Sequence, residues 1–217
     1  MHLIFLLEDL STEKFIRSLL DRIIGMNETI TYDCHSFHGI GGFPRKNSIS
    51  DIKTGRLLND LAIYLDGFDK SLKGISATIF VVVDNDNRET DQFRAQLEQI
   101  VKEKKISIDH VFCIAVEEME AWLLGDREAL KTAYPKAKDG VLKSYSQDSI
   151  CGTWELLADT IYSGGYKALK KHPYNVIGKV KAEWAENIGK YMVPERNISP
   201  SFQYFYNEVM CRVQNYL

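Results

Sequence analysis

Asp84 and Asp86, in the run Val83-Asp84-Asn85-Asp86-Asn87, are the residues whose types and spacing point most directly to chemistry. Two carboxylates about 4 Å apart repel by about 4 kcal/mol at an effective dielectric near 20, so acids gathered in a folded chain need a cation or a shared proton. Carboxylate oxygens are hard donors that suit Mg²⁺ or Mn²⁺. Two more acidic groups follow apolar runs: Glu8 after residues 3–7, and Glu117, Glu118 and Glu120 after residues 111–116. Together these favour a divalent-metal site drawn from Glu8, Asp84, Asp86, Glu117 and Glu120. The competing reading is an Asp-Asn turn that caps the next helix. In a metal site the aspartates would ligate and Glu8 would act as general base or third ligand, the arrangement that metal-assisted hydrolysis requires. Glu120 ranks ahead of Glu117, because Trp122 and Leu123 draw the neighbouring face into a core; the two acids share a face if the segment is helical.

The elements that must position these residues are legible from patterning. Residues 77–83 are β-branched or apolar almost throughout and do not alternate, as expected of a strand covered on both faces in a parallel sheet. Residues 3–7 and 111–116 have the same character, and residues 29–37 alternate loosely. Amphipathic helices are expected from Ser11, as N-cap, to Gly25, over residues 57–68, and from Phe93 to Lys105. The alternation predicts an α/β fold: a Rossmann-like central parallel sheet of about four strands with right-handed crossovers. In such sheets ligands sit beyond the carboxyl ends of the strands, where all three acidic groups fall. After Ala121-Trp122-Leu123-Leu124 the pattern changes to helices at 126–133, 153–161, 180–188 and 202–216. This predicts an α/β domain over residues 1–126 and a helical C-terminal extension over 127–217 packed on it.

A chain of 217 residues that is 45% hydrophobic and 26% charged is an ordinary globule. Its net charge of −3, from 27 basic and 30 acidic residues, provides no global basic field for nucleic acid. The charge is uneven: residues 151–217 carry 8 Lys and Arg against 6 Asp and Glu, and residues 1–150 carry 19 against 24. A polyanion would therefore be held by local bases and by a metal. Cys34, Cys113, Cys151 and Cys211 lie far apart without zinc or disulfide spacing, which fits a reducing cytoplasm. The apolar run before Glu8 is too short for a signal peptide or a membrane span, so no membrane association is expected.

With these residues placed, the chain resembles the Toprim-like superfamily, the catalytic fold of topoisomerases, bacterial primases and overcoming-lysogenization-defect nucleases. More closely, it resembles a bacterial Toprim-like family of unknown function. The resemblance rests on Glu8-Asp9-Leu10-Ser11-Thr12-Glu13, Val83-Asp84-Asn85-Asp86, the block from Ala115 to Asp126, Tyr134-Pro135, Gly152-Thr153-Trp154, and the closing run from Pro194 to Phe202. It implies a Glu that handles a proton, Glu8, and an Asp-x-Asp pair that binds Mg²⁺ for phosphodiester chemistry, Asp84 and Asp86; with Glu120, taken from the acidic group after residues 111–116, these are the candidate catalytic residues. It also implies an ATPase partner of the AAA or ABC type and a role in antiviral defence. One departure stands out: the broad Toprim pattern has Gly after the first Glu, where this chain has Asp9.

Secondary candidates are weighed against simpler roles. Lys181, Arg196, Ser199 and Ser201 belong to a polar block that could bind phosphate or substrate; alternatively Ser199 caps the last helix and Arg196 makes a surface pair. His35 and His38 are candidate proton carriers, but a surface pair in a Gly-rich loop is the favoured reading. Arg45 and Lys46 could touch phosphate, and are equally read as solvated loop charges. Trp122, Trp154, Trp184 and the tyrosines Tyr204, Tyr206 and Tyr216 are spaced as core or partner-facing aromatics, and base stacking would need them exposed beside cations. The leading expectation is a metal-dependent nuclease acting on DNA or RNA. The alternative is a non-catalytic acidic interaction or regulatory module for an ATPase, and a phosphatase or nucleotidyl-transfer enzyme is a third class.

Overall fold

A computed structural model describes residues 1–25, 29–44, 54–149 and 152–216. Four strands, β1 (His2–Leu7), β2 (Thr31–Ser36), β3 (Ala77–Asp84) and β4 (Asp109–Ala115), form one sheet in the order β2-β1-β3-β4, parallel throughout. The crossovers carry α1 (Leu10–Ile23), α2 (Leu57–Ser71) and α3 (Thr90–Lys104). The chain thus has the expected α/β, Rossmann-like architecture. β1 and β3 are central, so their side chains meet protein on both faces; this is why they read as continuous apolar runs. β2 is an edge strand, and its burial alternates accordingly.

The pleat sends Leu3, Phe5 and Leu7 to one face and Ile4 and Leu6 to the other. The second face is covered by Leu57, Leu61 and Leu65 of α2 and Phe93 and Leu97 of α3. The first face carries α1 together with the helices that follow β4: α4 (Glu120–Gly125), α5 (Arg127–Ala133), α6 (Asp139–Ser144), α7 (Thr153–Ile161), α8 (Gly165–Leu169), α9 (Tyr174–Gly189) and α10 (Pro200–Tyr216). Phe5 and Phe80 are register partners and stack at 5.1 Å, while Phe205 of α10 meets each ring at 6.4 Å. Trp122 stacks on Phe205 at 5.2 Å. Each of these buried rings is worth roughly 1.5–3 kcal/mol of transfer free energy, so the helical tail and the sheet share one core.

α9 lies against α1 at a close approach that needs a glycine: a Cβ on Gly189 would stand 2.0 Å from Ser18 Oγ. Arg22 fastens the same contact by donating to Gly189 O at 3.0 Å and Met192 O at 2.8 Å. That docking carries Lys181 of α9 to the amino end of α1 and the strand ends beside it.

Several local expectations change. Asp9, not Ser11, caps α1, accepting from Thr12 N at 2.8 Å, because a carboxylate two residues nearer the strand reaches the free amides first. α9 begins at Tyr174 rather than Val180, since its exposed first turn leaves no apolar periodicity to read. α4, α6 and α8 are too short to display a helical period. Among the described residues no helix is long and apolar enough to cross a membrane.

Candidate functional site at the carboxyl edge of the sheet

Glu8 follows β1 directly and Asp84 ends β3, so the parallel register delivers both to the same edge. Glu8 Oε2 accepts from Asp84 N at 3.2 Å, and Asp84 Oδ1 accepts from Met119 N at 2.9 Å. The carboxylates therefore tie together the end of β1, the end of β3 and the turn after β4. The loop after β2 joins them, with Gly39 N donating to Glu8 O at 3.0 Å. Backbone bonds from Asn85 N to Ala115 O at 2.9 Å and from Asp86 N to Glu117 O at 2.8 Å lock the β3 and β4 loops together. Asp86 and Glu117 are left-handed, at φ +49° and +68°, a conformation non-glycine residues hold only where neighbouring bonds enforce it.

Glu120 opens α4 and is 1% exposed. Its Oε1 lies 3.0 Å from Lys181 Nζ, close enough for an ion pair but without the angles of a hydrogen bond. Burial pushes Glu120 above the usual carboxylate range, Lys181 opposes that rise, and the charges of Glu118 and Asp9 add to it. Asp84 is pushed well up by burial and then by Glu8, Glu120 and Asp9, with Lys181 again opposing. Burial also pushes Glu8 up to about 7; the Asp84 amide restrains the rise, while Asp9 and Asp86 contribute to it. Burial disfavours charge on Lys181, but Glu120, Asp9, Asp84 and Glu118 outweigh it and hold the ammonium protonated. Among the described residues one cation thus serves more negative charge than it can balance, and the deficit raises the proton affinity of the acids.

The structure brings Glu8, Asp84 and Glu120 into one electrostatic cluster. Asp86 lies at its margin, exposed and paired with Arg88 at 3.0 Å. Glu117 is buried, and its charge reaches Tyr145. Glu117 precedes α4 in a left-handed conformation, so the expected helical face shared with Glu120 does not form. Among the described residues no three His, Cys, Asp or Glu stand together as a ready-made metal cage.

Lys181, expected to bind phosphate, spends its charge on Glu120. Arg196 reaches buried Asp126 at 3.0 Å and Glu128 at 2.8 Å. Ser199 is buried and accepts from Phe202 N at 3.3 Å, capping α10. Ser201 Oγ accepts from Trp122 Nε1 at 2.9 Å and Val116 N at 3.2 Å. The closing motif thus clamps Trp122 and the end of β4, and these contacts account for all three side chains within the fold. His35 sits among the Tyr64 and Phe68 rings and His38 is exposed. Arg45 and Lys46 lie outside the described residues.

Two participants carry weight that sequence reasoning did not give them. Asp9 acts on every member of the cluster while capping α1; an Asx residue just ahead of a helix was its signal. Glu118 Oε2 accepts from Thr153 Oγ1 and Trp154 N, both at 3.0 Å, and so fastens α7 beside the site. The signal for Lys181 as a buried partner was its place on the stripe shared with Trp184, Ala185 and Ile188.

No curated protein and no solved structure matches the chain. A family model does, over residues 7–210, from the last residue of β1 into the final helix, and so takes in the whole acidic edge. The chain belongs to the family described as domain of unknown function DUF4276.

Proposed function

We propose that this protein is a Toprim-like, metal-dependent phosphodiesterase, a nuclease working with an ATPase partner in antiviral defence. One observation carries the reading: Glu8 and Asp84, from separate strand ends, are half-buried together at the carboxyl edge of a parallel sheet, and among the described residues too little positive charge balances them. Such clustering of perturbed acids is characteristic of functional sites. The resemblance to Toprim nucleases supplies the reaction class, the partner and the biological setting.

The donor set fits Mg²⁺ or Mn²⁺. Glu8 and Asp84 each commit one oxygen to a backbone amide and keep the other. Mg²⁺ is commonly held by one or two carboxylates with water and substrate phosphate completing its shell, so a preformed three-acid cage is not required. Asp84 would hold the ion through its free oxygen, with Asp86 at the rim, and Glu8 keeps its free oxygen for the proton. When bound it supplies positive charge at the phosphate oxygens and acidifies water.

The protein's own residues do the rest. Glu8, titrating near neutrality, takes a proton from the attacking water at its free oxygen and releases it afterwards. Asp84 holds the Met119 turn and with it the start of α4. Lys181 neutralises Glu120, so the approaching phosphate meets less negative charge than the acids alone would present. Asp84→Asn should abolish Mn²⁺-dependent cleavage of plasmid and RNA without lowering the melting temperature; full cleavage by that variant removes the metal site from the mechanism.

A second reading is favoured by Lys181, since a cluster with its own cation can persist as an acidic docking surface for an ATPase. Calorimetry separates the two. Millimolar or tighter Mg²⁺ or Mn²⁺ binding supports the enzyme, and binding only to a neighbouring gene product supports the module.

A further inference from the structure

An aromatic side chain serves nucleic acid where it is accessible beside a cation. Trp122 and Trp184 are buried, but Trp154, at the start of α7, is partly exposed. Lys181 Nζ lies 5.6 Å from the centre of its ring, and Tyr166 of α8 meets it edge-on at 5.0 Å. Lys170 Nζ lies 5.0 Å from the centre of Tyr166. Because Lys181 also stands 3.0 Å from Glu120, the row Lys181, Trp154, Tyr166, Lys170 runs without a break from the acidic cluster to the surface.

The charge of this segment is opposite to that of the chain. Residues 160–182 hold five lysines and one histidine and no Asp or Glu, in a protein of net charge −3. Lys170, Lys171 and His172 are exposed. Tyr174, two residues further on, is 90% exposed, so its ring contributes almost nothing to the core. The presenting turn is built for its place: Gly164 and Gly165 take φ +81° and +66°, and Tyr166 N donates to Asp159 Oδ1 at 2.7 Å. Two acids lie within residues 154–181, Glu155 and Asp159, the latter spent on that amide, and Glu118 beside them is spent on α7.

We infer that residues 154–181 form a binding track for single-stranded nucleic acid, with Lys170 and Lys171 on phosphates and Trp154, Tyr166 and Tyr174 presented to unpaired bases. The track deepens the nuclease reading, on which it rests for its substrate class, by stating the strandedness and the route of entry. Paired bases would leave the aromatic faces unused, so a duplex fits less well.

The test is fluorescence anisotropy in EDTA with labelled single-stranded DNA and RNA of about 20 nucleotides and a matching duplex, so that binding is read without cleavage. The expected result is that wild-type protein binds a single strand more tightly than the duplex. Lys170→Glu with Lys171→Glu should weaken that binding about tenfold or more and flatten the salt dependence by about 0.7 in log–log slope for each phosphate no longer neutralised. Tyr174→Ala should weaken it several-fold with the salt slope unchanged. Equal affinity of the lysine variant and wild type, preference for the duplex, or no binding at low salt overturns the inference. Asp84→Asn keeps the two ideas apart. If it binds normally but does not cleave, track and nuclease both stand; if neither it nor wild type cleaves while the lysine variant loses binding, the track stands alone. If wild type cleaves and the lysine variant binds and cleaves equally well, the track falls and the nuclease remains.

Discussion

Replacing Glu8 by Gln should make this protein more stable above neutral pH even as it removes the proposed base. Glu8 titrates at about 7 in the fold against an ordinary 4.5. Between those values the folded chain binds more protons than the unfolded one, so stability falls as pH rises through that window. At 1.36 kcal/mol per pH unit, ionised Glu8 costs the fold roughly 3 kcal/mol above pH 7 and less than about 1 kcal/mol near pH 5. Gln carries no charge and can still accept from Asp84 N, so the variant escapes the cost while keeping the tie between strand ends. For a chain of this size the gain corresponds to about 6–12 °C in melting temperature at pH 8. Thermal melts of both proteins at pH 5 and pH 8, in EDTA and low salt, read the difference; groups common to both cancel. The expected pattern is near coincidence at pH 5 and separation at pH 8, with added Mg²⁺ raising wild type more than the variant. Parallel melting at both pH values would refute the claim that Glu8 is held in a charge-deficient pocket.

Removal of the internal cation and of a buried acceptor gives two further outcomes. Lys181→Met strands Glu120 in the core and should cost roughly 3–5 kcal/mol at pH 8, less at pH 5, in denaturant unfolding. Adding Glu120→Gln should recover most of that loss, and failure to recover it would show that the two side chains do not act as a pair. Ser201→Ala deprives Trp122 Nε1 and Val116 N of their acceptor and should cost about 1–3 kcal/mol. An unchanged urea midpoint would show that this clamp adds nothing to stability.

The sheet was legible because its signal is local. Residues 3–7 and 77–83 are apolar without alternation, and only strands buried on both faces need such a run. α7 was readable to the residue, Thr153–Ile161, because one face of it is buried along its length. α4, α6 and α8 were not, since a helix of six residues or fewer cannot show a period. The acids at the strand ends were visible as residues, but their division of labour was not. Glu117 and Glu118 are adjacent in sequence, yet one is itself left-handed and buried and the other caps α7. Arg196, Ser199 and Ser201 looked alike as a polar block; burial assigns them to Asp126, to the α10 cap and to the indole of Trp122.

By itself the sequence determined the α/β class, the parallel sheet and the delivery of Glu8 and Asp84 to one edge, because strand periodicity and the direction of right-handed crossovers follow from local pattern. Tertiary structure alone decided which acids share a pocket and which cation serves them. Lys181 lies 61 positions beyond Glu120, and only the docking of α9 on α1 through Gly189 sets its ammonium 3.0 Å from that carboxylate. Coulomb energy depends on distance and burial, which sequence order does not fix.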